Sequence, residues 1–450
     1  MELSAESVLA LAPDAASVKA ATGLLKPAKW PTLGANDAAV WGECQGSGGS
    51  PYETQVDLSG PTFKCSCPSQ KFPCKHALAL LLLKARDASL FKSDTPPTWV
   101  TDWLNARTER AQKKQDKQRE KIVAASAEPT AASLKSIAQR WKQIDAGVAE
   151  LQQWLLDQVS RGLGSLSPQS RWEWQTMGAR LVDAKAPGLG QRVNYAADGL
   201  MQDADWPEKT LRRLGLLQLA CEAISRRSAL SEAAQTDLRI MLGWPLEKET
   251  VLAQSPGVPD RWQVIGLIQE ERDNNMHERR VWLRGQHSGQ YALLLEHAFA
   301  GRGFEQSWLC HGVHQATLAF YPSAAPLRAL VVSSTAEIAS ASEPASAPAA
   351  TADIRPEQTW TALAQRIANN PWISLHPLHC HGATPCRDGD SFGLDWAGKY
   401  LPLTLNETQG WALLALSGGR PLSVMGEWNG EALRPLSASS PEGVWNWSVL

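Results

Sequence analysis

The sequence predicts an α+β protein of several domains: a metal-bound N-terminal domain, a helical middle region and β-rich C-terminal regions. Three observations carry this. Cysteine and histidine crowd together with ligand spacing at residues 65–76, apolar residues recur at helical spacing after Pro129, and short alternating apolar runs separated by turn residues begin at Arg261. At 450 residues the chain exceeds what one core organises, and about three folded units are expected.

The first unit, residues 1–106, opens with a helix expected from Pro13 to Leu25. Tyr52, Gln55 to Leu58 and Phe63 follow as short strand material, and Trp99 and Trp103 close the unit. Residues 107–132 form a charged linker. Its core, RTERAQKKQDKQREK, holds seven basic and three acidic residues with almost no apolar position, which reads as a solvated helix or a mobile connection.

A helical domain is expected over 133–256. Leu134, Ile137, Trp141, Ile144, Val148, Leu151 and Leu155 alternate in steps of three and four, a coiled-coil-like seam. Further apolar stripes at Trp172 to Ala184 and Leu211 to Leu242 suit a bundle.

Over 257–332 the runs RWQVIGLI, RRVWLRG and YALLLEH read as antiparallel strands with turns at Asn274-Asn275 and Gly289. Residues 333–355 are rich in Ala, Ser and Pro and read as a flexible linker. The last unit, 356–450, should open with a helix from Thr359 to Ile367. Strands are then expected at Phe392 to Trp396, Trp411 to Leu416 and Leu422 to Trp428.

Charge and composition narrow the function classes. Lys and Arg total 44 against 46 Asp and Glu, so no global field draws the chain to nucleic acid or to an acidic membrane. The start of the chain lacks the features of a signal peptide, and the longest dense apolar run, Ala77 to Leu83, is too short to span a bilayer, so a cytoplasmic protein is expected. The 20 tryptophans are spread from Trp30 to Trp447 rather than gathered as a stacking platform, which makes most of them core residues. No phosphate-binding glycine motif, HExxH or GxSxG nominates an enzyme, and Gly301-Arg302-Gly303 lacks the context of a dinucleotide fold. The expectation is a non-enzyme.

The strongest chemical signal is Cys65-Ser66-Cys67, six intervening residues, then Cys74-Lys75-His76. Three thiolates and one imidazole satisfy Zn²⁺ tetrahedrally, and a full set of protein ligands leaves no open position, which marks one structural ion. Extended backbone sends residues i and i+2 to the same side, and a helix starting after His76 turns its positive end to the thiolates. Lys64, Lys71 and Lys75 stand by to offset the surplus negative charge.

Other clusters read more plainly. His376, His379, Cys380, His381 and Cys386 could by type hold a second Zn²⁺, but without paired spacing a polar loop is the simpler account. Cys310, His311 and His314 read as partly buried residues, and Gly46 to Gly49 after Cys44 as turn chemistry.

The stretch CSCPSQKFPCKHALAL resembles the SWIM zinc finger, Cys-x-Cys followed by Cys-x-His, with Cys65, Cys67, Cys74 and His76 at the ligand positions. The lead-in WGECQGSGGSPYETQVDLSGPTFK and the C-terminal WALLALSGGRPLSVMGEWNGEALRPLSA are similar to bacterial SWIM zinc finger family proteins. That resemblance implies a protein-interaction or scaffolding component, with an AAA-type ATPase and von Willebrand-type domain proteins as partners. SWIM domains elsewhere imply the alternative, DNA binding, here through the basic flanks of the zinc domain. The helix Ala77 to Leu83 is apolar on every face, so it belongs inside its own domain and nucleic acid would be held only by flanking charges.

Overall fold

The computed structural model describes the chain except residues 1–7, 126–130, 338–354 and 448–450 and short stretches elsewhere (10, 13–14, 47–48, 59–61, 70, 72, 168, 203, 245, 273–275, 300–303, 305, 307 and 442). Within these bounds it is an α+β protein with a small four-stranded module near the N-terminus, a helical region, and two large antiparallel sheets.

The N-terminal module is a four-stranded antiparallel meander in chain order: β1 (Thr32–Ala35), β2 (Ala39–Cys44), β3 (Tyr52–Asp57) and β4 (Thr62–Cys65). Helices α1 (Ala15–Thr22) and α2 (Lys75–Arg86) pack with it. Every residue of α2 from His76 to Leu83 is buried, because this helix has no polar face to offer water.

The charged segment 107–121 is helix. It belongs to α3 (Thr98–Ala125), whose first turn places Val100 against Ala39 and Trp41. Arg107 bonds the buried Asp57 at 2.9 Å, and Lys121 reaches Glu249 at 3.8 Å. The mobile-connection alternative fails for these residues because helix formers fill the segment and both ends are anchored.

The helical region comprises α4 (Ala131–Arg161), α5 (Ser170–Asp183), α6 (Pro187–Ala196), α7 (Trp206–Ser225) and α8 (Glu232–Met241), followed by α9 (Lys248–Gln254). Its core unites Ile144, Val148, Leu151 and Leu155 with Trp174, Leu181, Leu189, Leu217 and Leu238. The seven-residue seam expected from the sequence is buried only in its second half, since Leu134 and Ile137 lie exposed beyond the reach of the shorter partner helices. The stripe from Leu211 to Leu242 is two helices, parted where Ser231 caps α8 by accepting from the Ala234 N–H.

Beyond this come β5 (Val258–Arg272), β6 (Met276–Gly285), β7 (Tyr291–Phe299), β8 (Val313–Phe320) and β9 (Ala329–Glu337), ordered 7-6-5-8-9. Residues 333–337 of the expected linker are therefore strand, paired with β8, because ladder bonds with Val313 to Thr317 hold them. Most of the remaining linker, 338–354, lies outside the described residues, as does Gly301-Arg302-Gly303.

The last unit holds α10 (Pro356–Asn369) and a six-stranded sheet, ordered 12-11-10-13-14-15. Its strands are β10 (His376–Asp388), β11 (Ser391–Trp396), β12 (Lys399–Pro402), β13 (Leu422–Trp428), β14 (Leu433–Ser440) and β15 (Gly443–Asn446). Two expectations are corrected here. The segment Trp411 to Leu416 lies in helix α11 (Glu407–Ser417): Asn406 and Gln409 form a capping box, Gly418 ends the helix at φ 52°, and a short apolar run by itself does not distinguish strand from buried helix. The His376–Cys386 segment is a strand, not a loop, because β11 and β13 pair with it on both edges.

The two sheets pack on each other through Ile265, Ile268, Trp282, Leu327, Met425 and Leu436. Gly266 permits this approach, since a Cβ there would stand 2.9 Å from the Cβ of Leu436. The helical region is tied to the same body by Arg212 and Arg213, which both bond Glu431.

Candidate metal centre

Ligands come to the centre from a strand end, a bend and a helix start. Cys65 closes β4 opposite Thr54 of β3. The strand stops there, and Cys67 sits in a bend rather than in extended strand. That bend is held by Ser66, whose N–H donates to the Glu53 carbonyl and whose hydroxyl accepts from the Glu53 N–H, both at 3.0 Å.

Cys74 is the N-cap of α2, with φ −76° and ψ 165°. His76 is the second helical residue, buried, and its ring centroid lies 5.0 Å from that of Tyr52. A helix start thus supplies two ligands, with its unpaired N–H groups turned toward the thiolate of Cys74.

The ligand atoms of Cys65, Cys67, Cys74 and His76 all lie within 4.8 Å of one another. Cys65 Sγ stands 3.7 Å from His76 Nδ1. A zinc tetrahedron with bonds of about 2.3 Å to sulfur and about 2.0 Å to nitrogen requires sulfur to nitrogen separations near 3.5 Å, so the donor set fits the ion. Thr54 Oγ1 sits 3.2 Å from Cys65 Sγ, an outer-shell partner that orients this ligand. The cluster is suited to hold one zinc ion.

The thiols also show why a cation belongs here. The hydrogen bond with Cys74, together with burial, pushes the Cys65 thiol up to about 12, while the same hydrogen bond draws Cys74 down despite its burial. Burial raises Cys67, and burial with the nearby Cys65 raises Cys44 to about 11. Crowded sulfurs cannot all ionise unaided, and a bound dication removes that obstacle.

Among the described residues no other group of three or more His, Cys, Asp or Glu side chains brings its ligand atoms close enough together to hold a metal ion. Cys380 is buried in the core of the last unit, and Cys386 pairs with Gly393 of β11. His379 and His381 face away from that core, with Ser423 between them, an arrangement the sequence signalled only as alternate positions of an unrecognised strand. His314 lies on β8, while Cys310 and His311 occupy the turn before it.

Residues 52–85 match the family model described as SWIM zinc finger, and residues 139–242 match that of the SWIM-associated four-helix bundle domain. The second match runs from within α4 to the residue after α8, so it covers the helical core. No curated protein and no solved structure matches the chain.

Proposed function

We propose that this chain, a zinc-binding protein that carries a SWIM zinc finger and a SWIM-associated four-helix bundle domain, is a protein-interaction or scaffolding component. In this reading zinc holds the N-terminal module together and the helical region meets a partner. The observation that carries it is the exposed apolar set on that region: Trp172 is 71% exposed, Leu156 62%, Val159 58% and Leu211 56%. Large side chains of this kind anchor protein interfaces. A closed set of four protein ligands argues for a structural rather than a catalytic ion. The resemblance to bacterial SWIM proteins points to an AAA-type ATPase, with von Willebrand-type domain proteins, as the partner class.

The test is isothermal titration of the zinc-loaded chain with a candidate ATPase, using the parent and Trp172→Ser. Binding that survives high salt and weakens at least tenfold in the variant supports the reading. No binding to such partners, or binding unchanged by Trp172→Ser, sinks it.

A specific observation supports the second reading, nucleic-acid binding. On α3 the residues Arg110, Lys113 and Lys117 share one face at helical spacing, are exposed and have no ion-pair partner among the described residues. Phosphate contacts through them would weaken steeply with salt. Fluorescence anisotropy with a labelled duplex across a salt series separates the two readings.

A further inference from the structure

The junction of the two large sheets contains a cluster of imidazoles. In the register of β10 with β13, His381 opposes Ser423 and His379 opposes Met425. Met425 belongs to the apolar cluster between the sheets, so His379, His381 and Ser423 all face the five-stranded sheet. The Ser423 hydroxyl lies 2.9 Å from His379 Nε2 and 3.0 Å from His381 Nδ1, and the two ring centroids are 4.0 Å apart. The outer nitrogens, His379 Nδ1 and His381 Nε2, are buried without a partner, as is His311 Nε2 on the turn before β8.

A single hydroxyl proton joins the two rings. Ser423 donates to one imidazole and accepts from the N–H of the other, which requires the accepting ring to be neutral; the donating ring is kept neutral by its second nitrogen, which is buried with no acceptor for a further proton. An imidazolium donates at both nitrogens, so protonating the accepting ring removes the acceptor for the serine proton and breaks the chain. Among the described residues no carboxylate bonds to the pair or shifts its titration. β6 contributes Arg284 and the turn contributes His311, while β15 places the neutral Asn446 beside His311.

We propose that this cluster is an acid-sensitive latch: protonation of the His379–Ser423–His381 relay and of His311 parts the two β-sheets while the helical region stays folded. Burial, then His381, Arg284 and His311, hold His379 well below the ordinary imidazole range. Burial and Arg284 lower His381, and burial lowers His311. In the parted state each ring titrates near about 6.5. Above that value the latch is indifferent to pH. Below it the parted state binds more protons, and each histidine kept neutral in the closed state shifts the balance toward opening about tenfold per pH unit.

The experiment is hydrogen–deuterium exchange of the full zinc-loaded chain at about pH 7.5 and about pH 5.5, corrected for intrinsic exchange. Peptides of β5, β10 and β13 should lose protection at least tenfold at the lower pH while those of α4 and α7 keep theirs. His381→Gln and His311→Gln should each reduce that loss about tenfold, because each removes one ring that titrates between the two pH values, the second without touching the relay. If His381→Gln does not fold, His311→Gln decides. Unchanged protection in the sheets, an equal loss in α4 and α7, or a His311→Gln variant as acid-sensitive as the parent would overturn the proposal.

Discussion

Arg280 of β6 and Glu427 of β13 meet across the junction of the two sheets as a two-bonded pair, at 2.7 Å and 3.0 Å, with Trp282 Nε1 donating to the same carboxylate at 2.9 Å. The Glu427 side chain is 0% exposed, and Arg280 is shared with Glu270 and Glu278 at 2.8 Å. Glu427→Ala leaves the Nε and Nη2 of Arg280 and an indole N–H without an acceptor inside the interface, while Glu270 and Glu278 still balance the guanidinium charge, so it should destabilise the chain by about 1–3 kcal/mol. The double variant Arg280→Met, Glu427→Leu removes both charges and should recover much of that loss. Urea unfolding of the two variants checks the ordering.

Zinc content answers to the N-terminal cluster alone. Cys74→Ser should abolish the one bound zinc measured by native mass spectrometry and, by releasing the metal tie at Cys74 and His76, loosen the start of α2. Cys380→Ser should leave that stoichiometry unchanged, since Cys380 lies in a separate apolar core.

Asp260 gives a further pH dependence. Burial alone would raise its carboxyl, but the Ser288 N–H and hydroxyl and the His287 ring and N–H outweigh burial and hold it well below the ordinary carboxylate range. A carboxylate with a depressed folded pKa stabilises above its unfolded value of about 3.9, and the stabilisation is lost as the pH falls below that. Asp260→Asn should therefore cost stability at neutral pH and flatten the acid limb of a thermal-melting profile below about pH 4.

In the helical region, Gly188 brings α6 against the end of α8. A Cβ there would strike the Met241 carbonyl oxygen and lie 2.9 Å from the Gly243 nitrogen. Gly188→Ala should cost about 1–3 kcal/mol by forcing the two helices apart. A calorimetric melt should show the loss.

Much of this architecture is legible in the sequence where local chemistry is decisive. The spacing of Cys65, Cys67, Cys74 and His76 suffices because four donors within twelve residues can close on one ion with little help from distant parts of the chain, and the structure does bring them together. Ile144, Val148, Leu151 and Leu155 are readable as one buried stripe for a similar reason. The segment from His376 to Cys386 is harder. Its histidines look like loop residues because polar side chains on a strand are expected to face water, whereas here they face a second sheet that only tertiary packing supplies. Trp411 to Leu416 misleads in the opposite way: a short apolar run looks like a strand, yet its Ala and Leu residues are strong helix formers, Asn406 and Gln409 cap the helix and Gly418 stops it. The shared Ser423 is invisible to any local pattern, being more than 40 positions from both histidines.

The helix between Arg107 and Lys121 has a geometric consequence. With one end anchored to Asp57 and the other against Glu249, it fixes both a span of about 21 Å and an angular phase between the two anchors. One residue inserted between them would turn one anchor about 100° relative to the other, so that both could no longer engage. The zinc module is thus indexed to the rest of the chain like a tooth on a gear, tolerant of surface substitutions along the helix but not of a change in its count.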